Sequence, residues 1–98
     1  MPYRFGRKAA EDLENIAVYG VETFGVEQAK RYYNGLIDVL QFLAQYPQAA
    51  RARPELGAVV RGHSYKAHMI FYRPDDAGIL VLRIRHGGED WQAGGVFS

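Results

Sequence analysis

Three side chains near the end of one apolar stretch could act on a phosphate group or hold an acidic partner. Arg83, Arg85 and His86 close the run Ile-Leu-Val-Leu-Arg-Ile-Arg-His at 79–86. A guanidinium stabilises negative charge on a carboxylate or a phosphate through paired hydrogen bonds. The unperturbed pKa of histidine lies near neutrality, so its ring can give or take a proton. These residues therefore suit either acid–base chemistry beside a phosphate or a cationic contact surface.

A predicted β-hairpin positions these side chains. Two runs rich in aromatic and β-branched residues, 65–73 and 79–86, flank the turn Pro-Asp-Asp-Ala-Gly at 74–78. Proline, aspartate and glycine are typical turn residues. Side chains alternate along a strand, so one face of the last strand is expected on the core and the other in solvent. The expected core face carries Leu80, Leu82 and Ile84, and the opposite face carries Val81, Arg83 and Arg85.

Two helices are predicted before the hairpin. From Arg7 to Phe24 and from Val26 to Tyr46, apolar residues recur every three or four positions, which indicates one buried stripe on each helix. Gly25 is the predicted C-terminal cap between them, and Pro47 ends the second helix because the residue before proline avoids the helical region. The short link predicts an antiparallel helical hairpin.

The remaining elements are predicted to be short strands. Residues 3–5 form the first strand, residues 58–61 the second, and 62–64 the turn into the 65–73 strand. The order is therefore β-α-α-β-β-β, and the fold class is α+β: an N-terminal helical hairpin packed on a small antiparallel sheet. With 98 residues, one domain spanning 1–98 is expected. The predicted common core comprises Leu13, Ile16, Leu36, Leu40, Phe71, Leu82 and Ile84.

Composition excludes several classes of protein. The chain contains no cysteine, which excludes a disulfide scaffold and thiolate chemistry and fits a reducing cytoplasm. It shows no signal-peptide pattern and no apolar run of membrane-spanning length, so a cytoplasmic protein without membrane contact is expected. The histidines are His63, His68 and His86, without the helical spacing of a metal site, so neither a metal nor another cofactor is expected.

Positive charge is concentrated in the predicted sheet. The whole chain has a net charge of only +1, yet residues 47–86 contain seven arginines and lysines against three carboxylates. A basic surface attracts an acidic protein or a phosphate backbone. The alternative is that these charges form an ordinary solvated strand face.

The sequence resembles the ParE branch of the RelE/ParE toxin superfamily over nearly its whole length. The resemblance rests on the order of elements and on four segments. These are Ala10–Ile16 in the first helix, Phe24–Ala29 at the start of the second, the strand His68–Arg73, and the ending Leu82–Gly87. It implies the toxin of a type II toxin–antitoxin pair, in a hetero-oligomer with a cognate antitoxin of the ParD type or another. ParE-like toxins poison DNA gyrase by binding it, whereas RelE-like toxins cut mRNA on the ribosome.

The two branches assign different roles to the same basic residues. In a RelE-like nuclease the matching catalytic positions are Arg61, Arg85 and His86, but this chain lacks a lysine pair before Arg61 and a tyrosine in its C-terminal tail. These departures favour the non-catalytic ParE-like alternative, with gyrase as the target. The residues then expected to bind partners are Arg61, Arg83, Arg85, His86, Trp91 and Phe97.

Overall fold

A computed structural model describes residues 2–87 of the chain. Two helices and five strands follow one another, with a short 3₁₀ turn at Pro54–Leu56. Their order confirms the predicted α+β class, a helical hairpin on a sheet. The bounds are β1 Tyr3–Phe5, α1 Arg7–Phe24, α2 Val26–Gln45, β2 Arg51–Ala52, β3 Arg61–Tyr65, β4 His68–Asp75 and β5 Gly78–His86.

The sheet has the strand order β1-β5-β4-β3-β2. Strands β3 to β5 pair antiparallel, as predicted, and the short β2 adds to them in the same sense. β1 instead pairs with β5 in parallel, so the sheet is mixed. Ile79 donates its N–H to the Pro2 carbonyl at 3.0 Å. That carbonyl occupies the space where residue 78 would carry a side chain, which explains Gly78.

The predicted bounds of the strands and the turn between residues 58 and 67 were wrong. Residues 58–60 are not a strand, and the predicted turn at 62–64 lies inside β3. The true turn is Lys66–Ala67, where Lys66 adopts a φ of 50°, as a two-residue hairpin loop requires. Val59 and Val60 have high β propensity but are held in the loop before β3. The sequence also gave no signal for β2, which is only two residues long.

The helical hairpin matches its prediction to within one residue. Gly25, with a φ of 86°, links the helices and donates its N–H to the Val21 carbonyl at 3.0 Å. Gly20 allows close helix approach, because a Cβ there would lie 3.3 Å from the Cβ of Ala29. At Gly35 the reason differs, since a Cβ would overlap the Tyr65 hydroxyl of β3.

The main core lies between the helices and one face of the sheet. Helix α2 contributes Leu36, Leu40 and Leu43, all fully buried. The strands contribute Ile70, Tyr72, Ile79, Val81 and Ile84. Leu13 and Ile16 pack against this core while remaining partly exposed.

The predicted faces of β5 were partly wrong because the strand contains a β-bulge. Phe71 pairs with Arg83 but Tyr72 pairs with Val81, so Leu82 is an extra residue without an opposite partner. A bulge shifts the alternation by one position. Val81 therefore faces the main core, and Leu82 packs with Phe71 in a second cluster on the other side of the sheet.

Candidate functional site

The sheet face opposite the helices, called the outer face below, has a small apolar centre. Its buried members are Val60 and Phe71, with Leu56, Met69 and Leu82 packed against them. Gly62 lies beside this centre, because a Cβ there would be in ordinary contact with the Phe71 ring at 3.5 Å and with Arg53 Cγ at 3.4 Å. The guanidinium carbon of Arg53 lies 6.0 Å from the centre of the Phe71 ring, within cation–π range.

Arginines surround this apolar centre. Pairing places Arg83 opposite Phe71 and Arg85 opposite Met69, which confirms that both share the outer face. Arg51 and Arg73 reach the same face from β2 and β4, and both are exposed. Glu55, a carboxylate close to these arginines, is paired with Arg53 at 2.6 Å, and that hydrogen bond lowers the pKa of Glu55. The outer face is therefore basic, and it can attract an anionic partner.

Arg83 is anchored to helix α1. Its Nε and one terminal nitrogen donate to the two carboxylate oxygens of Asp12, at 2.7 and 3.0 Å. The backbone N–H of Ile84 donates to the same carboxylate at 2.9 Å. Both side chains are largely shielded from solvent, with exposures of 12% for Arg83 and 13% for Asp12. The ion pair therefore fixes the first half of α1 against β5 beyond the point where β1 ends.

Arg61 holds the loop that follows α2. Its guanidinium donates to the Ala50 carbonyl at 2.6 Å and also contacts the backbone and side chain of Gln48. Arg61 pairs with Tyr72, whose hydroxyl donates to the Pro47 carbonyl at 2.8 Å on the same, helix-facing side. Both contacts tie the end of α2 to the sheet, which is a structural role for Arg61.

His86 belongs to an aromatic cluster that the sequence did not reveal. It pairs with His68 across β4 and β5, and their ring centroids are 5.7 Å apart. The Tyr32 hydroxyl lies 2.6 Å from His68 Nδ1, and burial raises the pKa of Tyr32. Tyr65 donates its hydroxyl to the Tyr32 carbonyl at 3.1 Å. Only the hairpin register brings these residues together, so the mistaken turn at 62–64 concealed the cluster.

The three positions matched to a nuclease are not brought together. Arg61 lies level with Val81, and Arg85 lies three ladder positions away and two strands across. This is a backbone separation of about 14 Å at ordinary strand spacing. Arg85 is on the outer face, whereas Arg61 and His86 face the helix side. Trp91 and Phe97, the other predicted contact residues, lie outside the described residues.

No metal site is evident in the described chain, since no three His, Asp or Glu side chains of residues 2–87 converge as ion ligands would. Neither α1 nor α2 combines the length and apolar character needed to cross a membrane.

The structure defines a small α+β domain with a basic outer face, and comparison with known proteins gives its family. Residues 3–91 match the family described as ParE toxin of the type II toxin–antitoxin system parDE. The chain belongs to this ParE toxin family.

Individual relatives agree with this family. The chain is 32% identical to Toxin ParE1 of Caulobacter vibrioides over 87% of its length and 88% of the relative's. It is 28% identical to Toxin ParE3 of the same organism, over 83% of this chain and 81% of the relative. A solved structure, a chromosomal ParDE system from P. aeruginosa, superposes with a TM-score of 0.73 and 26% identity, covering 88% of this chain and 95% of the other. The protein is thus a ParE-like toxin whose partner is an antitoxin.

Proposed function

We propose that this toxin acts in the cytoplasm by binding DNA gyrase, that it catalyses no reaction itself, and that its antitoxin neutralises it by binding. The observation that carries the proposal is the separation of Arg61 and His86 from Arg85. Cleavage of an RNA phosphodiester needs a base, an acid and a cation within hydrogen-bond reach of one phosphate. The described positions of these three residues do not favour such a site.

A contact surface needs less exact geometry, and the outer face suits one. Its apolar centre around Phe71 is ringed by arginines, a residue type that is enriched at energetically dominant interface positions. Arg73 and Arg85 are proposed as direct contacts, with His86 at the end of the same strand as Arg85. Arg61 and Arg83 support the surface through their bonds to the 47–50 loop and to Asp12.

Two assays with purified components test the proposal. One measures supercoiling by gyrase in the presence of toxin, and the other measures ribosome-dependent cleavage of mRNA. The variants are His86→Gln, which removes the titratable proton, and the double change Arg73→Glu with Arg85→Glu. The double change Lys30→Glu with Arg31→Glu is a matched control, because it alters charge equally on the exposed surface of α2.

We expect wild type, His86→Gln and the α2 control to inhibit gyrase comparably. The Arg73/Arg85 variant should inhibit gyrase roughly tenfold or more weakly, since reversed charges at an interface repel the partner. No mRNA cleavage is expected from any variant. Ribosome-dependent cleavage that falls about 10²–10⁴-fold in His86→Gln, the usual contribution of a general acid or base, would overturn the proposal in favour of a RelE-like nuclease.

A further inference from the structure

Two imidazole rings meet at the end of the β4–β5 ladder. His68 and His86 are opposite partners, with ring centroids 5.7 Å apart and an interplanar angle of 79°. The sequence lacks the helical histidine spacing of a metal site, but the ladder joins two histidines that are 18 positions apart. His86 is exposed and His68 is half-buried. An ion in solvent can therefore reach the pair.

The separation of the two rings suits a shared metal ion. Imidazole nitrogens bind Zn²⁺ at about 2.0–2.1 Å, which places each ring centre about 3.2 Å from the ion. At a tetrahedral angle the two ring centres are then about 5.2 Å apart, so the observed 5.7 Å requires an adjustment of only about 0.5 Å. A small rotation of the exposed His86 side chain is sufficient. Aromatic packing also accepts this distance, so the surroundings of His68 decide between the two interpretations.

A hydrogen bond from helix α2 holds His68 as a metal ligand is usually held. The Tyr32 hydroxyl lies 2.6 Å from His68 Nδ1. A metal-binding histidine commonly donates its second ring N–H to an oxygen, which fixes the tautomer and the orientation of the ring. When Nδ1 carries the proton and donates it to Tyr32, the lone pair of Nε2 can bind a metal. Coordination does not require Nε2 to lack another contact, because a metal–nitrogen bond replaces a weaker one.

We propose that His68 and His86 bind a Zn²⁺ ion and that Tyr32 is a positioning residue for this site. The site does not depend on the proposed function, and it lies on the helix side of the sheet, opposite the outer face. Imidazole suits zinc, copper and nickel, whereas Mg²⁺ and Ca²⁺ prefer oxygen ligands. Zn²⁺ accepts the tetrahedral geometry considered above, whereas Cu²⁺ and Ni²⁺ favour square-planar arrangements.

The site is expected to bind zinc reversibly. Two protein ligands are fewer than the three or four of a catalytic or structural zinc centre, so water completes the coordination. The ammonium of Lys66 lies 5.8 Å from the centre of the Tyr32 ring, and its positive charge opposes tight binding of a dication. The ion would join β4 to β5 at the last described pair of their ladder and, through Tyr32, to the first half of α2. Zinc is therefore expected to stabilise the folded toxin.

Isothermal titration of Zn²⁺ into the full-length toxin, first freed of metal with a chelator, tests the proposal. The variants are His68→Gln, His86→Gln and the control His63→Gln, which removes the remaining histidine of the chain. We expect wild type and His63→Gln to bind a single Zn²⁺ ion with equal affinity, and each of the other variants to bind it at least tenfold more weakly. Mg²⁺ should not bind. Equal zinc affinity in all four proteins, or an equal loss in His63→Gln, would overturn the proposal.

Nuclear magnetic resonance of the wild-type protein tests the same site without any substitution. The ring signals of His68 and His86 should shift as Zn²⁺ is added, and those of His63 should remain unchanged in the same spectrum. Equal shifts of all three histidines would indicate non-specific binding, and no shift at His68 and His86 would indicate aromatic packing alone. Either result would refute the site.

The role of Tyr32 is tested by removing its hydroxyl. Tyr32→Phe should weaken zinc binding about 10–100-fold, as the loss of a hydrogen bond to a ligating histidine usually does. Tyr65→Phe is the matched control, because its hydroxyl donates to the Tyr32 carbonyl at 3.1 Å and not to a histidine; it should bind zinc like wild type. A lower Tm of metal-free Tyr32→Phe together with wild-type zinc affinity would mean that Tyr32 only supports the fold, which would refute its positioning role.

Thermal unfolding measures the expected stabilisation. At a zinc concentration about 100 times the Kd, the Tm of wild type and of His63→Gln should rise by about 5–10 °C. The Tm of His68→Gln should change little. An equal rise in His68→Gln would place the bound zinc elsewhere and contradict the proposal.

Discussion

The Asp12–Arg83 ion pair provides the sharpest test of the structure, because one carboxylate receives three hydrogen bonds. Two come from Arg83 and one from the Ile84 N–H. Asp12→Asn keeps an acceptor for Ile84 but removes the charge that Arg83 requires. Asp12→Ala removes the charge and also the acceptor, so that the shielded N–H of Ile84 loses its partner.

The expected magnitudes follow from those contacts. A hydrogen bond to a charged group contributes about 1.5–3 kcal/mol net, and breaking a buried ion pair costs about 3–5 kcal/mol. Because Arg83 and Asp12 keep 12% and 13% exposure, we expect about 2–3 kcal/mol for Asp12→Asn. The unpaired Ile84 N–H adds about 1 kcal/mol or more for Asp12→Ala. In a domain of this size, such losses correspond to a Tm lower by about 10 °C or more.

Urea titration of both variants measures these free energies of unfolding. The control is Glu55→Gln, which breaks the ion pair to Arg53 at a side chain with 47% exposure and should leave the Tm unchanged within error. A double-mutant cycle with Arg83→Met isolates the coupling between the two charges. Equal destabilisation by Asp12→Asn and Asp12→Ala, or a loss below about 1 kcal/mol for Asp12→Ala, would refute the assigned role of this carboxylate.

Three further predictions follow from the core and the aromatic residues. Ile84→Ala should lower the free energy of unfolding by about 2–5 kcal/mol. Leu82→Ala should lower it clearly less, because Ile84 is 3% exposed and Leu82 is only partly buried. The reverse order in denaturant titrations would mean that the bulge is misplaced. Gly35→Ala should destabilise the protein by forcing its Cβ against the Tyr65 hydroxyl; Tyr65→Phe in the same chain should partly restore the Tm, and no rescue would contradict that contact. Burial raises the pKa of Tyr72. The neutral side chain therefore stabilises the fold below the unfolded pKa of about 10, and this contribution is lost as pH rises through the folded pKa. Tyr72→Phe should reduce the loss of stability at alkaline pH, measured by urea titration, and an unchanged pH profile would contradict this prediction.

The helices could be predicted from the sequence because their information is local. The apolar spacing, Gly25 and Pro47 together define both helices, and the structure places their ends within one residue of the prediction. The strands depend on pairing partners distant in sequence. Val59 and Val60 favour a strand but remain in a loop, while Gly62 and Ser64 favour a turn but pair with β4. Tertiary pairing overrides such preferences.

In the candidate site, too, local patterns predicted part of the arrangement, and contacts between residues distant in sequence decided the rest. Alternation along β5 correctly placed Arg83 and Arg85 on one surface, but the bulge at Leu82 reversed the residues before it. No local pattern indicates that Asp12, 71 positions earlier, binds Arg83. His86 was identified as a titratable group, but its neighbours Tyr32 and His68 required the register of the hairpin.

The position of β5 in the sheet has a consequence for synthesis of the toxin. β5 is the last of the described strands to be made, yet it pairs with β1 on one side and β4 on the other. It also supplies Ile79, Val81 and Ile84 to the main core. Until residues 78–86 leave the ribosome, β1 has no neighbour and the helical hairpin lacks much of its apolar support. A nascent chain elongates at about 5–20 residues per second, so the interval is brief, but a chain stalled before Gly78 cannot complete the sheet. Such a truncated chain lacks the strand that joins β1 and the helical hairpin to the rest of the sheet.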